Sequence, residues 1–290
     1  MRRMEAQVNA EVAPRLSAAL DHEARWSAAA PHVSVIVPTR NEVGNIRPLI
    51  ARIATAQRGI PTEVLFVDDS DDETPTVVEA IAEECAAGIV PDMTVRMLHR
   101  RAGARHGGLG GAVVEGIRLA RAPWVCVMDA DLQHPPELVR SLLDTARTGN
   151  ASLVVASRYC TTGDSSGLSS ASRVLLSRGA SASAKLLFPR RLRKISDPMS
   201  GFFLVDRTAI DENALKPRGF KILLEIAVRT GGLRVAEVGY SFGDRYSGNS
   251  KSGSREGMRF VLHVGRLRGA TICRPRASRT RARGTRVTVI

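Results

Sequence analysis

Apolar positions along the chain switch repeatedly between two rhythms. Val33-Ser34-Val35-Ile36-Val37, Glu63-Val64-Leu65-Phe66-Val67, Thr94 to Leu98, Trp124 to Met128 and Ser152 to Ala156 are short, β-branched or aromatic-rich runs that read as strands. Between them the apolar spacing lengthens to three and four residues. It does so at Ile46, Leu49, Ile50 and Ile53 within Glu42 to Thr55, then over Thr74 to Ala86 and Gly107 to Ala120, and predicts helices there. Strands alternating with helices of this length predict an α/β fold, a mostly parallel sheet with helices on both faces.

The second half is less regular. A Ser/Gly-rich loop from Thr161 to Ser172 leads to a helix from about Arg173 to Phe188, and Asp197 to Phe203 opens a strand-like run. Phe220 to Thr230 reads as a helix, Leu233 to Phe242 as a strand and Glu256 to Arg268 as a helix. That last helix sets Val261, Leu262, Val264 and Leu267 beside Arg259, His263 and Arg266, an amphipathic pattern. The expected organisation is an Ala-rich N-terminal extension over 1–31, one domain over 32–253, the amphipathic helix over 254–270 and an Arg-rich, disordered tail over 271–290. No internal repeat is present.

Charge and cysteine content narrow the function classes. The 290 residues carry 42 Lys and Arg against 29 Asp and Glu, a formal charge of +13, with arginines crowded between Arg266 and Arg286. Such a balance suits nucleic acid, anionic lipid or polyphosphate substrates. The four cysteines (Cys85, Cys126, Cys160, Cys273) form no C-x-x-C pair, so a zinc site or a disulfide frame is not expected. No stretch approaches the roughly 18–20 apolar residues of a membrane span. The N-terminus shows no apolar signal region. A cytoplasmic protein, or one held peripherally on the cytoplasmic face of a membrane, is expected.

The chemistry concentrates at strand ends. In open α/β sheets ligands bind beyond the carboxyl ends of the strands, and Asp68-Asp69 and Asp129-Ala130-Asp131 both follow strands. Carboxylates at i and i+2 on an extended chain point to one side and can hold a divalent cation against a phosphate-bearing substrate. A bare D-x-D is equally an acidic turn closing a strand; Gln133 and His134 shift the reading toward a metal. Asp68 and Asp69 are either turn residues or acceptors for a ribose or base. Pro38-Thr39-Arg40-Asn41-Glu42 is either a helix start with Glu42 at the positive dipole end or a turn set against a base. The Gly-rich stretch Arg101 to Gly111 matches neither the dinucleotide fingerprint nor a P-loop, but its amides can approach a sugar or phosphate. Arg158, Arg173, Arg178, Arg245 and Lys251 surround two polar loops. They are a solvated basic surface or the cations that two phosphate substrates would require.

Taken in order, V-S-V-I-V-P-T-R-N-E, F-V-D-D-S, G-L-G-G-A-V-V-E-G-I, M-D-A-D-L-Q-H-P-P-E, A-S-R-Y, L-L-S-R-G-A-S, D-P-M-S-G-F-F, G-F-K-I-L-L-E-I and D-R-Y-S-G-N-S-K resemble the family 2 glycosyltransferases of the GT-A fold. Within them the likeness is to polyprenol (dolichyl) phosphate mannose synthases, and it runs from about Val33 to Leu267. The resemblance implies inverting transfer of mannose from GDP-mannose to a polyprenol phosphate. It implies that Pro38, Thr39, Glu42 and Asp68 contact the donor nucleoside. Asp129, Asp131 and Gln133 would coordinate Mg²⁺ or Mn²⁺ on the diphosphate. Arg158, Arg173, Ser177 and Arg245 would hold the acceptor phosphate, with Lys251 nearby; Asp129, Asp131, Arg158 and Arg245 would carry catalysis. Arg40 departs from an aromatic residue frequent in the family, Asp71-Asp72-Glu73 lacks a glycine common there, and the Arg-rich tail matches nothing in it.

Four rivals are weighed against this, one of them an inactive glycosyltransferase-like scaffold, which the intact D-A-D-L-Q argues against. A polyprenol phosphate glucosyltransferase using UDP-glucose shares nearly all the motifs. A processive polysaccharide synthase would carry Q-x-x-R-W, yet the only glutamines are Gln7, Gln57 and Gln133. A nucleic-acid-binding module would interleave aromatics with its basic face, and no such face is found, so nucleic acid is not an expected partner. A membrane surface is expected as a partner, engaged through the Arg173–Phe188 and Glu256–Arg268 helices, with a separate membrane-protein partner as the alternative.

Overall fold

The computed structural model describes residues 30–160, 171–216, 221–241, 243, 265, 267 and 268, with the backbone course alone over 171–178. The N-terminal extension up to residue 29, the polar loop over 161–170, Arg245, Lys251 and the Arg-rich tail lie outside the described residues. So does the amphipathic helix, apart from 265, 267 and 268, which are helical.

Seven strands form one sheet: β1 (Val33–Thr39), β2 (Thr62–Asp68), β3 (Met93–His99), β4 (Trp124–Val127), β5 (Leu153–Ser157), β6 (Phe203–Asp206) and β7 (Val235–Gly239). Their order is β3-β2-β1-β4-β6-β5-β7. All run parallel except β6, which is antiparallel to both β4 and β5. The helices are α1 (Val43–Ala56), α2 (Thr74–Ala86), α3 (Gly108–Leu119), α4 (Leu138–Thr148), α5 (Ala171–Leu187), α6 (Pro189–Leu192) and α7 (Ile222–Arg229).

The period-two pattern of the strands sorts their side chains into two cores. Val33, Val35 and Val37 of β1 pack with Ile46 and Leu49 of α1, Val78 and Ile81 of α2 and Leu142 and Leu143 of α4. Ile36 points the other way, into a layer with Val113 and Ile117 of α3 and Leu223 and Leu224 of α7. Gly116 of α3 lies so close to this face that a Cβ there would come within 2.5 Å of Ile36 Cγ2. The expected α/β class and mostly parallel sheet are what the structure has.

Two differences from the sequence reading bear on the site, and the first is that it names no element between the fourth and fifth strands. There α4 buries Val139, Leu142, Leu143 and Ala146 at helical spacing. Pro135 and Pro136 precede it, and their carbonyls receive the amides of Leu138 and Val139, so the two ring nitrogens that cannot donate lie outside the helix. The second difference is β6. The Asp197–Phe203 run is a turn over its first residues, and the strand begins only at Phe203. Because β6 is antiparallel, its beginning lies beside the carboxyl ends of β4 and β5, with Phe203 opposite Val127 and Val155. The Asp197–Phe202 turn therefore joins the functional edge of the sheet.

Candidate active site

The chain visits β1, β2 and β3 in one direction along the sheet and then returns to place β4 on the other side of β1. Ligands in such sheets bind in the crevice where the strand order reverses. Asp129 to Asp131 leave the end of β4 at that crevice, with the Met128 amide still bonded to the Ile36 carbonyl of β1. The Asp129 side chain is 42% exposed, whereas Asp131 is 7% exposed. Asp131 Oδ1 accepts the Gln133 amide at 3.1 Å. Gln133 Nε2 donates to the Gly243 carbonyl at 3.2 Å, so Oε1 is the atom it would offer to a cation.

These donors fit a hard divalent cation, which prefers carboxylate and amide oxygens and retains open positions for substrate. Among the described residues no group of three or more His, Cys, Asp or Glu side chains gathers into a cage. A cation held by Asp129, Asp131 and Gln133 would accordingly complete its shell with phosphate oxygens.

The turn itself is tight. Leu132 has φ 63°, a left-handed conformation that non-glycine residues seldom adopt. His134 reaches back across it, and its Nδ1 accepts the Asp129 backbone amide at 3.0 Å. The ring is 3% exposed, stacks on Phe202 with centroids 5.1 Å apart and meets Tyr240 edge-on. Burial pushes its pKa down to about 4, against a weaker upward pull from Asp131, so the imidazole is neutral near neutral pH. Burial also raises the Tyr240 phenol well above its ordinary value.

Beside this turn, Arg158 follows β5 and forms a fork with Asp197, Nε to Oδ2 at 2.8 Å and Nη2 to Oδ1 at 3.1 Å. The Asp197 side chain is wholly buried and that of Arg158 nearly so. Burial disfavours the guanidinium charge, but the hydrogen bonds and attraction of Asp197 outweigh it and hold its pKa above the ordinary value. Asp197 has no partner suggested by spacing, since the two residues lie 39 apart in sequence. The D-P-M-S-G-F-F run is its only sequence signal.

The nucleoside candidates meet at the ends of β1, β2 and β3, where the register sets Thr39 opposite Asp68 and Asp68 opposite His99. Asp68 is fully buried and its carboxylate already accepts from Thr39 Oγ1 at 2.7 Å, from the hydroxyl and amide of Ser70 and from the His99 ring at 2.7 Å. Asp68 thus organises a polar hub whose outer rim is the one-third exposed His99, a residue the sequence reading leaves out. Asp69 is likewise engaged, by Nε and Nη2 of the buried Arg100, which also binds the carbonyls of His106 and Gly108 at the start of α3. The Gly-rich stretch is in this way tied to the end of β2. Glu42 accepts from Asn45 Nδ2 at 2.6 Å, its amide donates to Thr74 Oγ1, and Pro38 is half-buried in β1. Arg173 and Ser177 fall on α5, of which the backbone course alone is described there. Arg245 and Lys251 lie outside the described residues.

The paired carboxylates stand at the reversal point of a parallel-dominated α/β sheet, and the chain belongs to glycosyl transferase family 2, whose family model matches residues 34–213. It is a glycosyltransferase. A dolichol-phosphate mannosyltransferase of Pyrococcus furiosus is 34% identical over 81% of this chain, which spans 63% of that relative's length. A dolichol-phosphate mannosyltransferase of Mycosarcoma maydis is 38% identical over 78% of this chain and 76% of its own. Among solved structures, glucosyl-3-phosphoglycerate synthase from Mycobacterium tuberculosis, in complex with Mn²⁺, UDP and glucosyl-3-phosphoglycerate, superposes with a TM-score of 0.59 at 19% identity. That match covers 86% of this chain and 82% of that one, and shows a shared fold.

Proposed function

We propose that the protein transfers mannose from GDP-mannose to a polyprenol (dolichyl) phosphate, with inversion at the anomeric carbon. The observation that carries this reading is the Asp129–Asp131 turn at the reversal point of the sheet, next to the Arg158–Asp197 fork, in a chain similar to dolichol-phosphate mannosyltransferases.

In the reaction an acceptor phosphate oxygen forms a bond to C1 of mannose while the bond from C1 to the GDP oxygen breaks. A phosphomonoester is largely ionised at neutral pH, its second pKa being about 6, so no side chain has to remove a proton from it. The protein's task is to bring two anions together. Arg158, held rigid by Asp197, supplies positive charge on the acceptor side, where Arg173, Ser177, Arg245 and Lys251 would complete the phosphate site. Asp129, Asp131 and Gln133 would hold Mg²⁺ or Mn²⁺, which when bound neutralises charge developing on the leaving diphosphate. Pro38, Thr39 and Glu42, with the hub around Asp68 and Asp69, would receive the nucleoside.

The lipid acceptor places the enzyme at a membrane, and the reading puts it peripherally on the cytoplasmic face. No helix among the described residues is long and apolar enough to cross a bilayer. Leu186 of α5 is 82% exposed, near the exposed Arg190, Arg193 and Lys194, a combination that suits an anionic lipid surface. The decisive experiment offers radiolabelled GDP-mannose and UDP-glucose separately with a polyprenol phosphate and Mn²⁺, and extracts the label into organic solvent. Label from GDP-mannose alone is expected. Label from UDP-glucose alone would move the assignment to a glucosyltransferase.

A further inference from the structure

Resting on that reading, we infer that His134 is a positioning residue for the cation site, acting through its Nδ1 as the acceptor that holds the Asp129–Asp131 turn in its metal-binding shape. In this role His134 acts through Asp129, whose amide it accepts.

Three independent observations converge on it. The first is the hydrogen bond itself: the Asp129 amide donates to Nδ1 at 3.0 Å, which makes Nδ1 the unprotonated nitrogen and the ring the Nε2–H tautomer. The second is that the turn needs holding, because Leu132 sits at φ 63° with its side chain buried, a conformation maintained only where its surroundings impose it. The third is that the ring cannot swing. Phe202 stacks on one side, Tyr240 stands edge-on, and a Cβ added at Gly201 would lie 3.3 Å from His134 Cε1 and 3.5 Å from Asp129 Oδ2. Gly201 and Phe202 follow Asp197, the partner of Arg158. One segment therefore braces both the ring that shapes the cation turn and the arginine on the acceptor side.

Two substitutions separate hydrogen bonding from packing because they rank oppositely. Asparagine is the smaller replacement, but its Oδ1 sits where Nδ1 was. Glutamine fills more of the pocket, but places its amide at the position of Nε2. The measurement is Mn²⁺ binding in the presence of GDP, followed by the loss of the free Mn²⁺ electron paramagnetic resonance signal. It is made on the full chain below the thermal midpoint of each variant, with Asp131→Ala as the site control. We expect His134→Asn to bind within a few-fold of the wild type and His134→Gln to bind about 10–100-fold more weakly, the range for groups that orient metal ligands. Thermal unfolding should show the reverse ranking, with His134→Asn the less stable. Equal binding by wild type and His134→Gln would overturn the inference, and so would equal loss in both variants, which would leave the ring a packing role only. If the wild type binds no more Mn²⁺ than Asp131→Ala, the cation site itself is wrong and the inference fails with it.

Discussion

The proposed metal ligands Asp129 and Asp131 sit in different surroundings: one side chain is 42% exposed, and the other is buried and already accepts the Gln133 amide. Neither is needed to fill the core. Asp129→Ala and Asp131→Ala should each lower kcat/KM for sugar transfer by at least about 10²-fold, the scale for losing an electrostatic stabiliser of developing charge. Their thermal midpoints should stay close to the wild type. Full activity in either variant would refute the metal assignment. Asp197 is the opposite case. Asp197→Ala leaves the Arg158 guanidinium buried without its fork, and removing one partner of such a pair costs about 3–5 kcal/mol. Denaturant unfolding should show that loss along with a fall in transfer. An unfolding free energy unchanged from wild type would mean that the fork does not hold the turn. No rule of spacing links residues 158 and 197, whereas the D-x-D pair is visible because both members follow one strand.

At the scale of elements, the alternating rhythms are enough to place β1 to β5, α1, α2 and α3 within a residue or two. They are enough because β1, β2, β4 and β5 are buried almost throughout, while β3, α1 and α2 are buried on one face. The pattern does not reveal strand direction. β6 reads as one more apolar run, yet it is antiparallel, and this reversal is what brings Asp197, Gly201 and Phe202 to the carboxyl ends of β4 and β5. Close contacts between elements are equally invisible along the chain. Gly116 looks like a weak point in α3, but it is where the helix meets Ile36. Gly116→Ala should destabilise the protein by about 1–3 kcal/mol, the range for overpacking a core, even though alanine is the better helix former. Urea unfolding tests this: a gain in stability would show that α3 shifts freely and that the contact does not matter.

For the whole molecule the formal charge of +13 is a prediction about surfaces. Charge attraction to a membrane is screened over about 10 Å at 0.1 M salt. The protein should co-sediment with vesicles containing anionic lipid at low ionic strength, be released as salt is raised, and bind neutral vesicles far less. Failure to bind anionic vesicles at low salt would sink direct attachment and point to a separate membrane-protein partner.

The sequence by itself was sufficient for the α/β class and for the family, and it singled out the carboxylates proposed to hold the cation. Each of these is written in local information: the period of burial, the position of charge after a strand, and motifs in a set order. Only the tertiary structure decided how these charged and polar groups are partnered within the protein. Asp68 and Asp69, read as nucleoside contacts, hold His99 and Arg100; Arg158 is anchored by Asp197; and His134 is turned back onto Asp129. The physical reason is that burying a charge or a polar group demands a partner, and partners are chosen by proximity in space, which one-dimensional spacing does not encode.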